Sequence, residues 1–424
     1  MNSVAIPLSR HDYKVISLSL LGGALEVFDF IIFVFLSSTI ADVFFPAHTP
    51  EWIRLLESMT IFSVGYLARP LGGLLIAHFS DRYGRKHMFN FTVLFMAMPC
   101  LVMGVLPGYD QVGYWAPLML LLARIVQGAA LGGEVPNAWV FVAEHTPASQ
   151  RGLALGLLQA GLSFGYMLAA LTVTLINSYF TGEEVTQWAW RIPFIVGGVL
   201  GFISVWLRRW LQETPVFVAL QRDRALSERL PLADILRKHR SSVVPASLLT
   251  VVLTSTVILS VVILPVIMQK EWYYDAASTF KISCAGILAM NIGCIIAGHV
   301  ADKAGAWPVF AAYAVLTAVA VTLMSFMSGF GTGAVIAGYV LLGLCSGTIA
   351  AVPILMIRLF PSKVKVTGIA LIYNIAYSLC SSIMPLSLLA FYHFAHWTLS
   401  AVAWGVAATG IMTFLIYRKG RSFD

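Results

Sequence analysis

Charge is scarce in this sequence. Of its 424 residues only 11% are Asp, Glu, Lys or Arg, against about 25% in soluble domains, while 59% are hydrophobic. An ordinary water-soluble fold is excluded. A helix needs about 20 apolar residues to cross roughly 30 Å of hydrocarbon, so the chain has room for about a dozen crossings joined by short loops. Little is left for a soluble domain. Cysteine is sparse as well: Cys100, Cys284, Cys294, Cys345 and Cys380 all fall within expected spans, with no Cys-x-x-Cys pair and no neighbouring histidine cluster. Neither a disulfide scaffold nor a zinc site is expected. No Ser/His/Asp set, metal-spaced His or Glu cluster or phosphate loop stands in register, so an enzyme, a catalytic residue, a metal and a cofactor are all absent from the reading.

What is present is a formal charge of +7, carried in short basic clusters between apolar runs. That pattern points to lipid headgroups rather than nucleic acid. The polar stretch 1–14 leads into an apolar run too long for a signal-peptide core and without a small-residue cleavage site, so it reads as the approach to a retained first span. Apolar runs bounded by Pro, Gly or charge place spans near 15–41, 58–79, 88–106, 116–138, 152–176, 191–211, 242–268, 280–300, 308–328, 333–357, 367–391 and 397–417. The longest polar segment, Gln212 to Arg240, divides them six and six. The expected organisation is an all-α integral membrane protein: an N-terminal six-helix bundle over 1–211, a cytoplasmic linker over 212–240 and a C-terminal six-helix bundle over 241–424.

Orientation follows the positive residues, because basic loops stay cytoplasmic. With the N-terminus inside, the inner segments hold Arg10, Lys14, Arg82, Arg85, Lys86, Arg151, the cluster from Arg208 to Arg240, Lys303, Arg358, Lys363, Lys365, Arg418, Lys419 and Arg421. Outer loops hold only Arg54, Arg191, Lys270 and Lys281. Both termini are therefore expected in the cytoplasm. The segment from Ala77 to Lys86 after span 2, with Asp81, Arg82, Gly84 and Arg85, has an echo after span 8 in Gly298, Asp302, Lys303 and Gly305. Related halves of parallel topology place a solute site between them near the midplane.

Each motif has a mechanical use. Asp81 can cap or pair at a neighbouring helix terminus, Gly84 permits a tight turn, and Arg85 and Lys86 hold the inner side, so the cluster can latch one conformation. The alternative is that the basic residues only obey the positive-inside rule.

These residues resemble the major facilitator superfamily, whose loop between spans 2 and 3 carries Gly-x-x-x-Asp-Arg/Lys-x-Gly-Arg-Lys. Two departures stand out: Ala77 replaces the leading Gly, and Ala306 and Trp307 replace the basic pair in the second copy. A narrower resemblance is to the metabolite:proton symporters of di- and tricarboxylates, shikimate-like acids and betaine-type zwitterions. It is carried by Glu26-Val-Phe-Asp29-Phe, Arg69-Pro-Leu-Gly-Gly, Leu-Pro107-Gly-Tyr and Arg124-Ile-Val-Gln127-Gly-Ala-Ala-Leu-Gly-Gly-Glu134, and further on by Trp190-Arg191-Ile-Pro193-Phe, Gln212-Glu213-Thr-Pro215-Val-Phe217 and Leu359-Phe360-Pro361-Ser-Lys363-Val-Lys365-Val-Thr367-Gly368. The resemblance implies two pseudo-symmetric bundles, a small-molecule substrate, protons as the driving force, and residence in the bacterial inner (cell) membrane. A monomer in contact with membrane lipids is expected.

A charge at the bilayer centre costs about 2.5–3.5 kcal/mol on insertion scales, so Glu26, Asp29, Arg69, Arg124 and Glu134 each call for a partner or a wet cavity. Asp29 lies roughly 21 Å along span 1 from its inner end, and Arg124 roughly 12 Å from the outer end of span 4. Those depths overlap, which predicts an Asp29–Arg124 pair broken by protonation; the resemblance implies the same pair, and a fixed packing pair is the alternative. Arg124, Gln127, Leu131 and Glu134 share one helix face beside Gly128, Gly132 and Gly133. Glu134, near the inner end, suits a gating contact with Arg151 or Arg85, or proton transfer. Glu26 can face the same lumen as Asp29, as a second proton site or a cation-recognising group. Arg69 either binds a substrate carboxylate or snorkels.

Arg69, Arg124 and Gln127 are the substrate candidates of the first half; the spans of the second offer neutral groups, Asn291, Tyr373, Asn374 and Tyr377, with helix-to-helix hydrogen bonding as the alternative. His78 and His299 occupy equivalent repeat positions and read as capping residues before proton relays. Function then divides between proton-coupled symport of a small organic acid or zwitterion and proton-driven export. Efflux relatives often carry a Gly-Pro-rich span 5, whereas the run from Gly156 to Tyr166 has glycines and no proline, which favours uptake. A membrane sensor would add a soluble domain that the short tails leave no room for.

Overall fold

The computed structural model describes residues 9–208, 213–222, 240–362, 364–392, 395 and 397–420, and among these every regular element is helical. Eleven helices are long and apolar enough to cross a membrane, and the pair Gly182–Ala189 and Arg191–Trp206, bent by 45°, brings the count up to twelve. We number the crossing helices α1 Arg10–Phe35, α2 Glu51–Tyr83, α3 Arg85–Val105, α4 Trp115–His145, α5 Arg151–Tyr179 and α6 Arg191–Arg208. The later six are α7 from Arg240 to Lys270, α8 Ala276–Ala304, α9 Ala306–Met327, α10 in two pieces (α10a Thr332–Cys345 and α10b Thr348–Leu359), α11 Lys365–Tyr392 and α12 Thr398–Gly420. Leu71, Val105 and Phe326 are 72%, 69% and 71% exposed, an outward apolar surface that only lipid can solvate favourably.

Local chemistry sets the helix ends. Ser9 and Asp12 form a capping box that starts α1. Gly84 and Gly305, the two repeat glycines, take φ of 114° and 91°, and each donates its N–H to the carbonyl four residues back. Only glycine adopts that backbone without strain, so both α2-to-α3 and α8-to-α9 reverse within one residue. Glu213 then caps α3 by accepting from the backbone N–H of Lys86 at 3.1 and 3.2 Å. The linker expected over 212–240 lies mostly outside the described residues; within it, Pro215–Arg222 forms a short helix.

Two spans depart from the expected pattern. The first, read over 15–41, ends at Phe35, and Ser37–Phe44 forms a separate helix. The tenth, read as continuous, breaks at Ser346 and Gly347 in the membrane interior. Thr317 donates its hydroxyl to the freed Cys345 carbonyl at 2.8 Å, which makes the break tolerable away from water. α7 carries a π-helical turn, Ile258–Ile263, facing that break, where the Thr256 and Thr348 hydroxyls lie 3.1 Å apart.

Small residues let the helices approach. A side chain at Gly128 would strike the Gly65 carbonyl, and one at Gly156 the Cys294 carbonyl at 2.7 Å, so α4 lies against α2 and α8 against α5. The first six helices meet the last six chiefly where α5 packs on α8 and α10b, and where α11 packs on α2 and α4. The largest buried apolar cluster spans that seam.

Candidate functional site

At the seam lies a cavity of about 60 Å³. Its polar lining is Tyr66 and Arg69 from α2, Gln159, Ser163 and Tyr166 from α5, and Tyr373 and Tyr377 from α11, with Phe30, Val257 and Ile349 among the apolar walls. Arg69 stands immediately before Pro70 and is 2% exposed. Its guanidinium carbon lies 4.4 Å from the Tyr377 ring centre, 5.5 Å from Tyr66 and 5.6 Å from Tyr373, and its Nε has no hydrogen-bond partner. Three aromatic faces thus hold a cation beside this space, with a donor left over. Tyr373 and Tyr377 share a face as expected, their rings 5.3 Å apart, and Trp139 braces Tyr373 edge-on at 4.9 Å.

Arg124 is wholly buried outside that cavity. Its guanidinium carbon sits 4.2, 4.4 and 5.3 Å from the rings of Phe30, Phe33 and Phe62, and Nη1 donates to Gln127 Oε1 at 2.6 Å. Nε and Nη2 are unpartnered. Phe30 is the wall between the two arginines, because its ring also lies 4.8 Å from Tyr66.

The direct Asp29–Arg124 pair expected from depth does not form in this conformation. Arg54 pairs with Asp42 at 3.0 Å, and neither Asp29 nor Arg124 takes part in that ion pair. Neighbouring residues of a helix point about 100° apart, and it is Phe30 that faces Arg124. Asp29 is therefore turned toward α6, its Oδ1 against Gly197 and without a hydrogen-bond partner at 2% exposure. Matching depth left the rotation about the helix axis undetermined.

The remaining candidates separate. Glu134 accepts a short hydrogen bond from the Thr92 hydroxyl on α3, while Arg151, one gating partner foreseen for it, donates Nε to the Ala143 carbonyl at 2.9 Å. Glu26 lies on α1 and Arg85 begins α3; their side chains are outside the described set. Asn291 is buried in α8 away from the cavity, its Oδ1 unpartnered. Asn374 also stands behind the cavity wall, its Nδ2 donating to the carbonyls of Gly132 at 2.6 Å and Ala370 at 2.8 Å. His78 is buried against Phe79 and His299 is exposed.

The repeat residues meet across the seam. Asp81 Oδ2 accepts from the backbone N–H of Thr367 at 3.0 Å and from its hydroxyl at 2.8 Å, capping α11. Asp302 accepts from the N–H groups of Gly152 at 2.7 Å and Leu153 at 2.8 Å, capping α5. Each carboxylate holds the N-terminus of a helix in the other half, where the helix dipole favours negative charge. Arg82 and Lys303 are exposed beside them, with Arg82 over the Tyr83 ring at 5.4 Å. At the opposite end α1 and α8 touch through Phe35 and Phe280, ring centres 5.1 Å apart.

Sequence reasoning missed Tyr66, Gln159, Ser163 and Tyr166. Gln159 and Tyr166 are seven residues apart on α5, a two-turn spacing that places them on one face, and Tyr66 is one turn before Arg69.

A chain of membrane-crossing helices in two sets, with a small lined cavity between them, defines a membrane transporter. The family model of the Major Facilitator Superfamily matches residues 19–385, and the chain belongs to that superfamily. It is 30% identical over 373 residues to the proline/betaine transporter of Salmonella typhimurium, covering 86% of this chain and 74% of that one. It is 30% identical over 380 residues to the glycine betaine/proline/ectoine/pipecolic acid transporter of Dickeya dadantii, with the same coverage. Among solved structures, the proton:xylose symporter XylE bound to 6-bromo-6-deoxy-D-glucose superposes with a TM-score of 0.78 at 15% identity over 96% of this chain and 95% of that one. That likeness is one of fold.

Proposed function

We propose that this chain is a secondary active transporter of the bacterial inner membrane, moving a small zwitterion or organic acid together with protons by alternating access. The observation that carries the substrate half of this reading is Arg69 among Tyr66, Tyr166, Tyr373 and Tyr377 at the cavity between the halves. A planar guanidinium with a free donor suits a carboxylate. Tyrosine faces suit an alkylated ammonium group, which cannot hydrogen-bond and is attracted by the ring quadrupole. A betaine or N-alkylated amino acid offers both groups a few ångströms apart, and the names of the two bacterial relatives agree with that class. In this reading the six-helix sets 1–211 and 241–424 rock about the 212–240 linker, both termini are cytoplasmic, and the Asp81 and Asp302 caps form the inner gate. The working unit is a monomer in lipid, with the proton gradient in place of any cofactor.

Asp29 and Arg124 are assigned to proton coupling. An ionised carboxylate without a cation is costly in a buried site, whereas a neutral acid is tolerated, so proton carriage by Asp29 and pairing with Arg124 are alternatives that different access states would select. Glu26 and Glu134 are the secondary candidates, and Gln127 serves by holding Arg124.

The test is uptake of labelled betaines, proline and dicarboxylates into proteoliposomes with and without an inward-acid gradient, for wild type and Asp29→Asn. Accumulation of one compound that requires the gradient and fails in the variant supports the reading. Expulsion of larger amphiphiles, with no accumulation from the panel, would replace it with proton-driven export.

A further inference from the structure

Apart from Pro265, which closely follows the π turn of α7, helix-interior prolines stand at Pro70, Pro99, Pro136, Pro245, Pro353 and Pro385. Proline has no N–H, so each deprives the carbonyl four residues earlier of its helical donor. For three of them that carbonyl is met from the other half of the molecule. Behind Pro70 (70 − 4 = 66), the Tyr66 carbonyl accepts from the Ser378 hydroxyl at 2.8 Å. Behind Pro136 (136 − 4 = 132), the Gly132 carbonyl accepts from Asn374 Nδ2 at 2.6 Å. Behind Pro353 (353 − 4 = 349), the Ile349 carbonyl accepts from Gln159 Nε2 at 3.2 Å. Among the described residues, the carbonyls behind Pro99, Pro245 and Pro385 receive no such donor.

The arrangement follows the internal repeat. Gln159 is seven residues after Gly152, whose N–H is capped by Asp302, and Asn374 is seven after Thr367, whose N–H is capped by Asp81. The two amides therefore hold the same register on α5 and α11, and each reaches a proline-freed carbonyl on α10b or α4. Both are prepared for it. Trp139 Nε1 donates to Gln159 Oε1 at 2.8 Å, fixing which end of the amide faces Ile349. Gly73, which lies against Asn374 Nδ2, leaves the room that a side chain would fill.

We propose that Gln159, Asn374 and Ser378 are positioning residues of a proline-keyed clasp that holds the two halves together at the level of the cavity, whose lining includes Tyr66, Gln159 and Ile349. Separating the halves there strips all three carbonyls of their donors in a low-dielectric setting. Until water enters, nothing replaces them, so the closed arrangement is favoured. This rests on the alternating-access reading but not on any particular solute.

The test uses substrate-free protein in nanodiscs. Nitroxides at exposed positions His87 and Ala304, one in each half at the Asp81/Asp302 end, report the ratio of open to closed states by electron-electron distances in a background lacking native cysteines. Gln159→Leu, Asn374→Leu and Ser378→Ala should each raise that ratio roughly three- to tenfold, the worth of one interhelical hydrogen bond. Ser378→Thr, which keeps a hydroxyl, should leave it unchanged. Restoring the missing N–H should remove the effect only in matched pairs: Gln159→Leu should add nothing to Pro353→Ala, yet add its full shift to Pro136→Ala. Unchanged ratios, or equal additivity in matched and mismatched pairs, overturn the clasp. A variant that only lowers the melting temperature at constant ratio also counts against it, since that is the mark of plain packing. Gradient-driven uptake measured alongside separates the outcomes: shifted ratios without uptake of any tested solute would retain the clasp and remove the substrate reading.

Discussion

At the scale of single residues, the two buried arginines have different surroundings. Arg69 touches the cavity beneath tyrosine faces, whereas Arg124 is packed in phenylalanine with Gln127 as its polar partner. A guanidinium spreads its charge over a plane that three rings can cover; an ammonium cannot do this. Arg69→Lys should therefore raise the KM for uptake about tenfold or more at unchanged folding, and Arg69→Ala should abolish uptake. Initial rates in proteoliposomes measure both, and a lysine variant with wild-type KM would make Arg69 a packing residue. Asp29→Asn is expected to lose gradient-driven accumulation while keeping solute exchange at equal pH on both sides. Loss of exchange as well would mean that Asp29 supports the fold and not the coupling.

At the scale of elements, the positive-φ glycines are the sharpest constraint. Gly84→Ala forces a side chain into a backbone region that costs of order 1–3 kcal/mol for other residues and meets Glu213 and Phe217 besides. We expect a lower melting temperature in detergent, with a larger loss than at Gly305, where an added Cβ meets only Pro308 at 3.7 Å. Equal losses at the two positions would show that backbone strain alone decides. Such elements differ in how far the sequence reveals them. Helix existence was legible because apolar length alone sets it, and the repeat glycines were legible because both turns reuse one motif. Tyr373 and Tyr377 announced a shared face by their spacing. The break at Ser346 and Gly347 and the π turn in α7 were not legible, since a helix apolar all round carries no phase from which a change of winding can be read. For the same reason Asp29 could be placed in depth but not in azimuth.

At the scale of the whole molecule, two carboxylates from opposite halves each cap a helix of the other, so this contact between the halves has the symmetry of the repeat. Asp81 takes one backbone N–H and one hydroxyl; Asp302 takes two backbone N–H groups. Loss of such a cap is worth about 0.5–2 kcal/mol, which is roughly a two- to thirtyfold change in the balance between closed and open states. Asp81→Ala and Asp302→Ala should each shift the protein toward opening at that end, by similar factors, and the double variant by their product, because the two contacts share no residue. Reactivity of cysteines introduced at this end toward an impermeant maleimide measures the shift. It should also weaken binding of solute from the opposite side, since a population held open here is unavailable there. Product-like behaviour would mean that the two caps contribute independently to a single closed-to-open equilibrium. A double variant no more open than either single one would mean instead that the caps are coupled, loss of the first already releasing the second in the closed state.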